Sequence, residues 1–300
     1  MGFLKSVTVG ILALSQFGNA IPTNYTNPTL EARKLYALDG GQEPSLTKRA
    51  LFNVDGILDD NRKEVLRQGL KDAVEVASVV LDKMGKEKHK NKISAWFGDV
   101  ENEDYEGKVR DVFKNFVGEN HDHEGANVLG QLIVFPDDYW YVEERGQNFC
   151  DVVKPDGSTG TAYYMPRDKK YYGMHYCDKF FRRLNLKDYT EQYLRDNCAG
   201  MPDHIDTNHI SRVFQGANVL HEVMHFPLVG KAGTSKQIGD AVYNAYNCYT
   251  LKTTPDALNQ KGKPKRTIDN ADSYVYYAMH IYLEEKCDRA FGYPQSMVDN

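Results

Sequence analysis

The sequence predicts an α+β fold, rich in helix, with a small sheet in the middle of the chain. Two observations carry this. Long stretches near both ends place apolar residues at helical spacing, and two short runs between them are rich in β-branched and aromatic residues. At 300 residues the chain exceeds the usual size of one domain without demanding two, and its 41% hydrophobic content suffices for a sizeable core.

The elements follow in order. From Ile57 to Met84, Val65, Leu66, Leu70, Ala73, Val74, Ala77, Val80 and Leu81 trace one helical face. Asp59 and Asp60 stand at its start and Gly85 after its end, the expected stop and start signals. Val109, Val112, Phe113 and Phe116 mark a second helix closed by Gly118. Val128 to Phe135 and Thr161 to Met165 read as strands, with Gly146, Pro155, Gly157 and Gly160 punctuating the loops between them. Helical patterns return over about 209–226, 238–251 and 271–287. A helical part over about 50–125 and a second part over 126–300 are expected to form one domain.

The N-terminus reads as an address. Lys5, the apolar run Val7–Leu14 and the small residues Gly18-Asn19-Ala20 make residues 1–20 a signal peptide. No segment approaches the roughly 20 apolar residues a membrane span needs, so the chain is expected to be secreted, with no membrane partner. Residues 21–49 are rich in Thr, Pro, Asn and charge and end in Lys48-Arg49, the expected boundary of a pro-segment. Asn24-Tyr25-Thr26, a glycosylation sequon, lies inside it.

The formal charge is −5, and removing residues 1–49, with five Lys/Arg and three Asp/Glu, leaves −7. A mildly acidic chain excludes nucleic acid as the expected partner. The basic run Lys261, Lys263, Lys265, Arg266 surrounds Gly262 and Pro264 and reads as a solvated loop. The five cysteines, Cys150, Cys177, Cys198, Cys248 and Cys287, include no CxxC pair. In an exported chain they point to disulfides, with one thiol left over.

The sharpest signal is His221-Glu222-Val223-Met224-His225. Residues four apart share a helix face, so both imidazoles can bind one Zn²⁺. Glu222, beside the first ligand, can take a proton from a metal-activated water. A catalytic zinc wants three protein ligands and an open position. A third His six residues on is excluded by Lys231, and the first downstream Glu is Glu284, 62 residues away. Asp240 remains, expected on the next helix, with Tyr243 three residues beyond it and able to stabilise an oxyanion. His280, among Tyr276 and Tyr277, reads as a core histidine, and His121, His123, His204 and His209 as surface residues.

Taken together, HExxH, Gly233-Thr234, Asp240 with Tyr243, and Asn270-Ala271-Asp272-Ser273-Tyr274 resemble the aspzincins, the deuterolysin and lysine-specific metalloendopeptidase family. Trp96-Phe97-Gly98 and the stretch from Tyr172 to Phe181 agree with it. The resemblance implies a helix-rich, zincin-like metallopeptidase fold with one Zn²⁺ on His221, His225 and Asp240. It further implies Glu222 as base, Tyr243 as oxyanion stabiliser, Asp272 at the substrate and Cys177–Cys198 as a bridge. Cys248 and Cys287, on the last two helices, are expected to form another bridge, leaving Cys150 free. Five residues, where the family has two, separate Thr234 from Asp240, and Asn244 replaces the family's final Gly. Val275 stands where lysine-specific members carry an acid, so lysine selectivity is not implied.

The expectation is therefore a secreted, monomeric zinc endopeptidase acting on protein or peptide substrates. The alternative is a secreted zinc-binding or host-interaction protein of the same fold, without catalysis.

Overall fold

Asp59 opens the first long helix as its sequence position suggests: its carboxylate accepts from the amides of Asn61 and Arg62. This helix, α1 (Asp60–Lys83), buries Leu66, Leu70, Ala73, Val74, Ala77 and Val80 on one face. In the computed structural model the described residues are 52–295, apart from 58, 99–102, 120–123, 154–156, 158, 168–170 and 254–265. The expected signal peptide and pro-segment, the Asn24 sequon, Lys48-Arg49, His121, His123, Lys261, Lys263 and Lys265 lie outside them.

The described helices continue with α2 (Lys92–Phe97), α3 (Tyr105–Val117), α4 (Tyr139–Arg145), α5 (Leu186–Tyr193), α6 (Gln215–Met224), α7 (Gly230–Thr234), α8 (Ala245–Thr250) and α9 (Ala271–Cys287). Three strands, β1 (Leu132–Phe135), β2 (Ala162–Arg167) and β3 (Tyr171–Tyr176), form one sheet in the order β1-β3-β2. β1 runs parallel and β2 antiparallel to the central β3. The α+β class, helix-rich with a small sheet, is what the sequence predicts. Every described residue belongs to the compact unit Ser45–Asn300, and no described helix is long and apolar enough to cross a membrane.

The core is organised around α9. Tyr274 to Leu283 are all buried, so this stretch of the helix has no solvent face and lies in the middle of the helical layer. It packs on α1, α2, α6 and α8. α1 also packs closely on α6, and Gly69 makes that approach possible: a Cβ there would meet Phe180 and Val219 at 3.3 Å. Gly233 serves α7 in the same way, since a Cβ would lie 2.6 Å from the Val112 amide of α3. Each fully buried Leu or Phe side chain contributes about 1.5–3 kcal/mol, so this layer carries most of the stability.

Three stretches differ from expectation. Only Leu132–Phe135 of the first expected strand is extended, because Asn127–Gln131 closes into a 3-10 turn before the chain pairs with β3. The helix expected from about 209 begins at Gln215, because the preceding backbone pairs with Leu184 instead (Leu184 N donates to Val213 O at 2.7 Å). The helix expected over 238–251 exists only as α8, Ala245–Thr250. Residues 238–244 form an irregular segment, and Asn244 turns it into α8 with φ of 68° while its side chain caps Asn247 N. With ψ of 160° this is an extended, positive-φ backbone that glycine adopts far more readily than any other residue, so Asn244 is held there by its surroundings. The sequence patterns do not predict the strand β3 or the helices α2, α4, α5 and α7.

The disulfide expectation is also corrected. Cys150 bridges Cys177, with Cα atoms 5.5 Å apart, and Cys198 bridges Cys287 at 5.4 Å. Cys248, expected in a bridge, is a buried free thiol. It sits on α8 with its sulfur 3.3 Å from Asn270 Nδ2, engaged by a side chain rather than by Cys287. Cys150, expected free, lies beside the end of β3.

Candidate metal centre

α6 carries the HExxH residues. His221 and Glu222 lie in its last turn and His225 caps it. Apolar neighbours Ala217, Val219, Leu220, Val223 and Met224 bury the helix on α1 and α9, so its orientation is set by packing rather than by the ligands.

Three donors converge. Nε2 of His221 lies 3.1 Å from Asp240 Oδ1, Nε2 of His225 lies 3.3 Å from the same oxygen, and the two Nε2 atoms are 3.3 Å apart. This group could hold a metal ion. The other nitrogen of each ring is occupied. His221 Nδ1 donates to Asp272 Oδ1 at 2.6 Å and His225 Nδ1 donates to Ile238 O at 3.0 Å. With each Nδ1 engaged outward, each Nε2 faces the centre, the usual way an outer partner orients a ligand histidine.

Asp240 arrives from the irregular segment rather than from a helix. That segment is attached to the start of α9: Gly239 N donates to Asp269 O and Ala271 N to Gly239 O, both at 2.9 Å. Asn270 Oδ1 accepts from Ala241 N at 2.9 Å and Val242 N at 3.0 Å. Asp272, expected at the substrate, is instead buried behind His221. Its second oxygen accepts from Asn244 N at 3.1 Å, so both oxygens are engaged inside the protein.

Tyr243 is half exposed beside the centre. Its ring lies 6.2 Å from that of His221, nearly parallel, and its hydroxyl interacts with Asp240. Glu222 is 6% exposed, and none of the described residues hydrogen-bonds its carboxylate. Glu284, the first downstream Glu, and His280, read as a core histidine, lie elsewhere. Twelve residues of α9 separate Asp272 from Glu284, about 18 Å along the axis. Glu284 pairs with Lys92 at 2.9 Å, and His280 accepts from Trp96 Nε1 at 3.0 Å in a fully buried network.

The electrostatics reflect crowding of charge in a dry site. Burial disfavours the His221 imidazolium, but Asp272 and Asp240 outweigh it and hold its pKa well above the ordinary value. For His225 burial is likewise outweighed, chiefly by Asp240. Burial opposes ionisation of Asp240, yet the two imidazoles keep it far below the usual carboxylate range. Burial raises the pKa of Glu222 against the pull of both histidines. Tyr243 is raised by enclosure of its hydroxyl and by Asp240. Two imidazoles and a carboxylate with their free donors aimed at one point make an environment that suits a cation.

A second group, Cys150, His175 and Cys177, also brings donors together. Its sulfurs are joined to each other, which removes the thiolates a metal would need.

The chain matches no protein-family model and no curated protein.

The three donors brought together are those the sequence spacing singles out. In the sequence Asn270 stands only as part of the Asn270–Tyr274 motif, and nothing marks Ile238. The contacts of the Asn270 side chain and the Ile238 carbonyl are made across the fold, and no spacing rule reveals them.

Proposed function

We propose that this chain is a secreted zinc-dependent endopeptidase, an aspzincin-like enzyme that cleaves peptide bonds with Glu222 as base. The observation that carries the reading is Glu222 itself. It lies between the two histidines, 6% exposed, with its pKa raised by burial. A site that only captures metal has no use for a carboxylate between its ligands.

Zinc suits the donor set. Ligands about 2.0–2.1 Å from a tetrahedral Zn²⁺ lie roughly 3.3 Å from one another, which matches the 3.1, 3.3 and 3.3 Å separations of His221, His225 and Asp240. Bound there, zinc would polarise a water and the carbonyl under attack. Glu222 would take the proton from the attacking water and pass it to the leaving amine, work to which a carboxylate with a raised pKa is suited. Tyr243, half exposed, would steady the oxyanion. The disulfides Cys150–Cys177 and Cys198–Cys287 are compatible with an extracellular location.

A peptide substrate is supported by the sheet. β2 is an edge strand, and its Tyr164 ring lies 6.0 Å from the ring of His225. An extended chain added to that edge would run beside the centre.

The test combines zinc analysis of the purified chain with casein hydrolysis, with and without a chelator. One zinc per chain and chelator-sensitive hydrolysis are expected. Glu222→Gln should keep zinc and lose activity by several orders of magnitude. Stoichiometric zinc without hydrolysis would favour the non-catalytic binding protein, and absence of zinc would overturn both readings.

A further inference from the structure

We infer that Asn270 is a positioning residue for the metal centre. It sets where Asp240 stands, and through that the affinity and geometry of the site. The inference rests on the reading of His221, His225 and Asp240 as metal ligands.

Asn270 occupies the N-cap of α9, where an Asn side chain ordinarily accepts from the second or third amide of its own helix. Here it makes no such cap bond. Its oxygen is turned outward to the two amides that follow Asp240, Ala241 N at 2.9 Å and Val242 N at 3.0 Å. The backbone on the other side of Asp240 is held by the same tripeptide, through Gly239 N to Asp269 O and Ala271 N to Gly239 O. Asp240 is thus bracketed by four hydrogen bonds to residues 269–271. The segment that carries it contains no regular structure of its own.

The amide of Asn270 is fully buried, and its orientation is set. Nδ2 donates to Ser273 Oγ at 3.0 Å and meets Cys248 Sγ at 3.3 Å. A flipped amide would turn Nδ2 onto two backbone donors, so one arrangement satisfies the group. Two positions on, Asp272 holds His221. One helical end therefore fixes two of the three ligands, and the helix forgoes its own side-chain cap to do it.

The consequence is specific. Asn270→Ala removes the acceptor for Ala241 and Val242, lets the Asp240 segment drift, and should weaken metal binding by about 10- to 100-fold, the range typical of outer partners. Asn270→Asp keeps an acceptor for both amides, and its other oxygen can accept from the Ser273 hydroxyl and the Cys248 thiol. It should restore affinity to within a few-fold. A residue that merely stabilised the fold would lower the melting temperature of the metal-free chain without this pattern of loss and rescue.

The experiment measures Zn²⁺ affinity by competition with a chromogenic chelator, and the visible spectrum of the Co²⁺-substituted full-length chain, for the parent, Asn270→Ala and Asn270→Asp. Weaker binding and an altered Co²⁺ spectrum in the Ala variant, both reversed in the Asp variant, are expected. Equal affinity in parent and Ala variant would overturn the assignment of Asn270 alone. A parent that takes up no metal would overturn the site and this assignment together. Should Asn270→Ala fail to fold, Ser273→Ala, which removes one anchor of the amide, should lower affinity several-fold, and unchanged affinity there would overturn the inference.

Discussion

His221 Nδ1 lies 2.6 Å from Oδ1 of Asp272, a carboxylate that reaches it from a helix 51 residues further along the chain. The contact engages Nδ1 outward and leaves Nε2 facing the centre, so a residue with no place in the donor set controls one member of it. Asp272→Ala should reduce Zn²⁺ affinity by about 10- to 100-fold. Asp272→Asn, which can still accept from Nδ1–H, should lose less. The same chelator competition reads both. Parent-like affinity in the Ala variant would show that packing of α6 orients His221 unaided.

Asp240 and Glu284 separate two versions of the site. Asp240→Ala leaves a two-histidine site, and zinc should be lost to a mild chelator. Glu284→Ala should keep zinc and instead destabilise the chain, because it leaves buried Lys92 without its carboxylate. Tyr243→Phe should keep zinc and lower kcat with little change in KM, as expected for a group acting only on the developing oxyanion. Zinc content, melting temperature and steady-state kinetics decide these. Zinc loss in Glu284→Ala with retention in Asp240→Ala would assign the wrong third ligand.

The disulfides are open to direct mapping. Digestion without reduction should yield Cys150 linked to Cys177 and Cys198 linked to Cys287. Cys248, whose thiol pKa is pushed up by burial, should resist alkylation until the chain is unfolded. In the loop-entropy account, removing the Cys198–Cys287 bridge costs about 4–5 kcal/mol, because it closes the longer loop, of sequence separation 89 against 27. Recovery of Cys248 in a bridge would contradict the structure.

Asp72 gives a pH dependence remote from the metal centre. It is buried in α1 and accepts from Leu186 N at 2.7 Å and Gln68 Nε2 at 2.6 Å, yet burial raises its pKa from 3.8 to about 6. Between these values the folded chain holds a proton that the unfolded chain has released. The contribution of Asp72 is therefore fully present below about pH 4 and is lost as the pH rises through 6. Asn can accept from Leu186 N and donate to a reoriented Gln68 without ionising. Asp72→Asn should gain on the parent across that window, by about 3 kcal/mol in total. Denaturant titrations at pH 4 and pH 7 measure it, and a stability difference that does not change with pH would refute the assignment.

What could be read from residues alone was local. The 3.6-residue period marked α1 and α3, because a helix that packs on a core with one face must repeat its apolar residues at that interval. The i, i+4 spacing of His221 and His225 placed both rings on one side of α6 with Glu222 beside them, since helical geometry within one turn depends on nothing distant. Asp240 was legible only as the remaining acidic candidate after His225, with Tyr243 three residues beyond it.

The tertiary structure decided the rest. Composition suggested a helix over 238–251, but the Asp240 segment gains more from hydrogen bonds to residues 269–271 than from closing a turn of its own. Asp272 looked like a substrate contact until α9 set it behind His221. Five cysteines allow many pairings, and only the packing of Cys198 against the end of α9, and of Cys150 against the end of β3, selects among them. Each of these choices depends on groups far apart in the chain being held within a few ångströms, and sequence spacing carries no information about that.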